Sequence, residues 1–198
     1  MTGYWPDTQR RRQIWSLALP IMAGMISQSI LNIVDTWMVS HLGSHALAAV
    51  GMASNTNYLA SAAVIGLGAG VQAMVARRRG ENNVTEMALP LNTGLLIALI
   101  MAIPLFLVFF FSAKPLMAFL IDDPQVTPLA ADYFAIRIAG LFALGMNFSF
   151  RGYWNGINRS TVYMRTLIVM HVVNIILSYG LIFGAFGLPE LGVVGAGL

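Results

Sequence analysis

The chain is 198 residues long, 58% hydrophobic and 10% charged, with a formal net charge of +3 and a mean hydropathy of +0.73. A soluble domain carries about 25% charge, so this composition excludes one and specifies an integral membrane protein. Absence of cysteine excludes disulfides and thiolate metal sites, and the basic surplus falls in short clusters between apolar runs, which report orientation rather than a nucleic-acid partner.

A polar lead with Trp5 and Pro6, read as interfacial, precedes Arg10-Arg11-Arg12 and the first apolar run, Ile14 to Ser40. That run is too long for a signal-peptide core, and further spans follow, so an uncleaved first helix is expected. It carries Pro20, a place where a membrane helix can kink. No charge follows Arg12 until Asp35, deep in apolar sequence. A carboxylate in mid-membrane costs about 2.5–3.5 kcal/mol on insertion scales and marks a functional-site candidate. Gln28, Asn32 and Asp35, spaced four and three apart, fall on one helical face. Such a stripe lines an aqueous path or hydrogen-bonds a neighbouring helix; glue needs no charge, so Asp35 points to transport.

A tight connection, His41 to Ser44, leads to span two, residues 46–76. Its first half is polar, with Ser54, Asn55, Thr56, Asn57 and Ser61, and its second half contains Gly66, Gly68 and Gly70. A phosphate loop is a poor reading of that segment. Gly66 and Gly70, four apart, are expected to form the small-residue face on which a second helix packs. Arg77-Arg78-Arg79-Gly80 ends the span. Span three, 87–112, carries Pro90 and Pro104 and no ionisable residue, and is expected to be the most lipid-facing. A short interfacial helix is expected within 113–128.

Span four, 129–154, is the least hydrophobic. Asp132 sits near its entrance. Arg137, about 7–8 Å deeper at 1.5 Å per residue, is read as snorkelling or paired, and Tyr133 as an interfacial anchor. A basic connection, Arg151 to Arg165, leads to span five, 166–186, where His171, Asn174 and Ser178 share a face. That histidine can carry protons or pack as a neutral hydrogen-bonded ring, and packing is the commoner role. The residues from Leu191 to Leu198 begin a sixth apolar run.

The fold class expected is all-α: a polytopic bundle of five complete transmembrane helices and the start of a sixth. With the N-terminus cytoplasmic, the inner segments hold Arg10, Arg11, Arg12, Arg77, Arg78, Arg79, Arg151, Arg159 and Arg165, against Lys114 outside and Arg137 just inside span four. No HExxH, Gly-x-Ser-x-Gly or Walker sequence is present, so no enzyme activity is expected. One intramembrane carboxylate with polar stripes on spans one, two and five is the pattern of an ion-coupled secondary transporter; a channel filter motif is lacking.

The run LALPIMAGMISQSILNIVDTWMVSHLG resembles the first helix of multidrug and toxic compound extrusion (MATE) transporters. The resemblance continues through VQAMVARRRGENN, RGYWNGINRSTVYM, NIILSYGLIFG and LGVVGAGL. It implies the N-terminal half, residues 1–198, of a twelve-helix antiporter that exports drugs or other organic compounds against sodium or protons. The implied partners are the bilayer, an organic substrate and a C-terminal lobe, in the same gene or a separate chain. The implied location is the plasma (bacterial inner) membrane, with no resident cofactor. By that resemblance Asp35 is the coupling carboxylate, Asn174 faces it, sodium sits at Asp35 and Asn174 if sodium is the ion, and Tyr133 is a weaker cavity match. Gln28, Asn32, Asn57 and His171 complete the candidate lining. Where one branch of the family has aspartate, four residues after the span-five asparagine, this chain has Ser178, one carboxylate fewer. A lone half has one wall of the substrate path and is not expected to complete antiport. Two other readings are a lipid-linked-oligosaccharide flippase of the same superfamily, for whose diphosphate only Arg137 is a cationic candidate, and a non-transporting fragment.

Overall fold

The computed structural model describes residues 7–198, apart from the Gln13 side chain; Trp5 and Pro6 lie outside the described residues. Among the described residues there is helix and no strand. The first apolar run belongs to one long helix, α1 (Thr8–Ser40), with Pro20 inside it. A turn at Gly43, whose φ of 101° suits glycine, leads to α2 (Ser44–Gly80). Then come α3 (Leu89–Phe111) and a short α4 (Ala113–Leu120), within the segment where a short helix was expected. Span four is two helices, α5 (Val126–Ala139) and α6 (Leu141–Gly156), bent by 48° at Gly140. The remainder is α7 (Ser160–Phe183), a 3-10 turn (Ala185–Gly187) and α8 (Val193–Gly197). Four helices are long and apolar enough to cross a membrane, and five if the bent pair counts as one span. The chain is a multi-pass integral membrane protein.

Lipid tails give no hydrophobic drive for helix association, so close backbone approach has to supply the packing. The α2–α6 crossing does this, through a different glycine from the pair expected. Around Gly66 and Gly70 there is open space, whereas Gly68 faces Phe148, with 2.6 Å between its hypothetical Cβ and the Phe148 carbonyl oxygen. From the other side, a Cβ on Gly152 would strike the Gly68 carbonyl oxygen, and one on Gly156 would come within 2.8 Å of Val75. Gly145 meets Val64 and Ala98, which brings α3 into the same seam. Four-residue spacing identified a face of α2 but not the side on which the partner lies. Gly68 lies two residues from each of the expected pair and hence well round the helix.

The buried core is gathered toward the α4–α5 end, with Phe134, Ile138, Leu141, Met117, Ala49 and Ala53 among its members. Tyr133 belongs to this core, 6% exposed; it is not the interfacial anchor that its type suggested. Nor is span three the most exposed: 17% of its apolar stretch is buried against 11% for span one. The absence of charge made α3 look lipid-facing, but it packs against α2, α5 and α6, while α1 packs chiefly along α7.

Candidate functional site

The candidate residues lie on α1, α2, α5 and α7. α1 docks along α7 at Gly24, whose hypothetical Cβ would sit 3.2 Å from Leu167. One turn past that contact the two helices exchange hydrogen bonds. His171, 3% exposed, has its Nε2 3.2 Å from Gln28 Oε1 and its Nδ1 2.7 Å from Ser27 Oγ. Gln28 in turn donates from Nε2 to Asn32 Oδ1 at 3.1 Å. His171 and the Gln28–Asn32 stripe, read separately in the sequence, therefore form one cross-helix network.

Asp35 lies further along α1, half-buried. Its Oδ1 is buried without a hydrogen-bond partner, and so are Asn174 Oδ1 on α7 and Asn57 Oδ1 on α2. Buried polar atoms are normally satisfied, so these oxygens, like those of Ser61, Asn155 and Ser160 elsewhere among the described residues, need an account. No hydrogen bond joins Asp35 to Asn174 among the described residues, and no cluster of three His, Cys, Asp or Glu side chains capable of holding a metal occurs there. One carboxylate and two amide oxygens are hard ligands, the chemistry by which transporters hold a sodium ion, and a proton on the carboxylate would use the same acceptors. Ser178 is buried on the same face of α7.

From α5, Arg137 is exposed, and no ion pair to it occurs among the described residues. One turn before it, Tyr133 accepts a hydrogen bond from Ser54 Oγ of α2 at 3.3 Å. The start of the sixth run closes this side. Leu191 N–H donates to the Leu181 carbonyl at 2.7 Å, and Gly197 lies against Tyr133 and Ile136. Sequence reading missed Ser27 and the Ser54–Tyr133 bond. Ser27 sits off the stripe spacing, and only its adjacency to Gln28 hinted that one histidine ring could engage both. Ser54 was visible as a polar residue, but nothing in the chain order paired it with span four.

The MatE family profile matches residues 20–180. A probable multidrug resistance protein NorM of Agrobacterium fabrum is 30% identical over 91% of this chain and 38% of that protein. Another, from Bradyrhizobium diazoefficiens, is 33% identical over 92% of this chain and 39% of its own length. Among solved structures, an outward-facing MATE family transporter of the MOP superfamily superposes with a TM-score of 0.84 at 27% identity, over 93% of this chain and 40% of that one. A MOP superfamily transporter from Pyrococcus furiosus, described as having a binding pocket of reverse polarity, gives the same figures. The chain thus spans about two fifths of the length of the proteins it matches, corresponding to their N-terminal half. A profile covering most of the chain, on a bundle with this helix order and an intramembrane Asp35, makes it a member of the MatE family.

Proposed function

We propose that this chain forms the N-terminal lobe, residues 1–198, of a cation-coupled antiporter that exports organic compounds, with Asp35 as the group that loads the coupling ion. The observation that carries the reading is the orphaned, buried Asp35 Oδ1 within a membrane-crossing helix. An unsatisfied carboxylate oxygen is expensive in that setting, and a site built to take up and release a proton or sodium gives the expense a reason. Ser178 and His171 lie along the same face of α7, and Tyr133 with Gln28 and Asn32 would line the cavity more remotely. Loading would change how α1, with Pro20 as its weak point, packs on α2 and α7. That biases the lobe toward one opening. The other wall of the path would come from a C-terminal lobe, in the same or a separate chain, within a bacterial inner membrane and with the N-terminus cytoplasmic.

In an intact transporter carrying this lobe, Asp35→Asn keeps the shape and removes the exchangeable charge. Coupled efflux of a fluorescent organic cation is expected to fall to background while the amount of protein in the membrane is unchanged. Efflux at the unaltered rate would transfer Asp35 to the role of helix glue.

A further inference from the structure

The network between α1 and α7 has a direction. Gln28 Oε1 can only accept, so the His171 Nε2 that faces it at 3.2 Å carries the ring proton. Nδ1 is then the bare nitrogen and takes the hydroxyl proton of Ser27, 2.7 Å away. With its oxygen committed to the ring, Gln28 turns its N–H2 toward Asn32 and donates to Oδ1 at 3.1 Å. Asn32 has spent its oxygen in turn, and the group it has left over is N–H2. The donors thus run in one sequence, from Ser27 into the ring, from the ring to Gln28 and from Gln28 to Asn32.

We infer that His171 is a positioning residue: held as the Nε2–H tautomer by Ser27 and Gln28, it sets the direction in which the Gln28 and Asn32 amides point. The alternative arrangement has the same number of hydrogen bonds. With the proton on Nδ1, Ser27 oxygen accepts, Nε2 is bare, both amides turn over, and Asn32 is left with a free oxygen. The place of one proton on one ring thus chooses between two complete networks. The effect on efflux rests on the reading of Asp35 as the loading group; the tautomer and the direction of the amides do not. Packing alone would not demand this arrangement, because the Gly24–Leu167 contact already seats α1 on α7.

The test is nitrogen NMR of the 198-residue chain, labelled with 15N-histidine in lipid nanodiscs, the His171 signals being those lost in His171→Gln. The expected result is a neutral ring with the upfield signal of a protonated Nε2 and the far-downfield signal of a bare Nδ1. The reverse assignment would overturn the inference. Gln28→Leu should release the constraint and bring up signals of the second tautomer; an unchanged single Nε2–H form would also count against it. In an intact transporter, His171→Gln can still present an N–H near the Nε2 location, whereas the shorter His171→Asn reaches only the Nδ1 side. Efflux is expected to survive the first and to fall about tenfold with the second, the loss of one strong hydrogen bond. Equal efflux in both would refute a positioning role. If Asp35→Asn proves neutral while both tautomer results hold, the coupling reading has failed and the positioning one has not.

Discussion

A tyrosine in a membrane protein is usually placed at the headgroups, and Tyr133 shows how a single partner overrides that tendency. Its ring enters the core among residues of α5, and its hydroxyl is met by Ser54 from α2 at 3.3 Å. A hydroxyl in an apolar surrounding is costly unless bonded, so the pair is expected to act as a unit. Tyr133→Phe should lower thermal stability by about 0.5–1.5 kcal/mol. Ser54→Ala should cost a similar amount, and the double variant little more than either single one. Additive losses in a double-mutant cycle, followed by thermal unfolding in detergent, would mean that the two hydroxyls are independent. The same scale explains what the chain order could reveal of the site. Asp35, Asn174 and Ser178 stand out because polar residues at helical spacing in apolar runs are few, and spacing alone puts them on faces. Contacts between helices, such as Ser27 with His171, depend on the rotation of each helix about its axis, and no local pattern encodes it.

Rotation also decides which glycines matter. The Gly66–Gly70 spacing was legible, yet the seam runs through Gly68, because α6 offers Gly145, Gly152 and Gly156 on the facing side. Both patterns were present in the sequence; their pairing is a property of the crossing. An alanine at residue 152 would push its Cβ into the Gly68 carbonyl and to 3.0 Å from the Gln72 nitrogen. Backbone cannot yield as a flexible side chain can, so Gly152→Ala should destabilise the lobe by about 1–3 kcal/mol, the usual cost of overpacking. Gly66→Ala and Gly70→Ala face open space and should leave the melting temperature unchanged or raise it slightly, since alanine is the better helix former. Loss of stability at residues 66 and 70 with none at 152 would restore the pair that spacing favoured. The break in span four belongs to this scale too. Gly140 divides α5 from α6 by 48°, but hydropathy runs straight across it, so one continuous span was the natural expectation.

At the scale of the whole chain, the arginines organise what the helices leave open. Arg77 is paired with Glu81 and Arg78 with Glu86 at the α2–α3 junction, so part of that end's positive charge is neutralised locally. Orientation is nevertheless biased by the lysines and arginines themselves more than by net charge, acidic residues contributing little. Nine arginines on one side against Lys114 on the other therefore still argue for a cytoplasmic N-terminus. The lack of native cysteine makes this directly testable, because any thiol introduced is the only one. Val84, 70% exposed in the α2–α3 connection, should lie inside. Gln125, exposed just before α5, should lie outside. In intact cells a membrane-impermeant maleimide is expected to label Gln125→Cys at once and Val84→Cys only after permeabilisation. The opposite pattern would invert the lobe and turn the arginine-rich ends outward. Labelling of both from outside would require α3 with α4 not to cross the bilayer, since that segment is all that separates the two thiols.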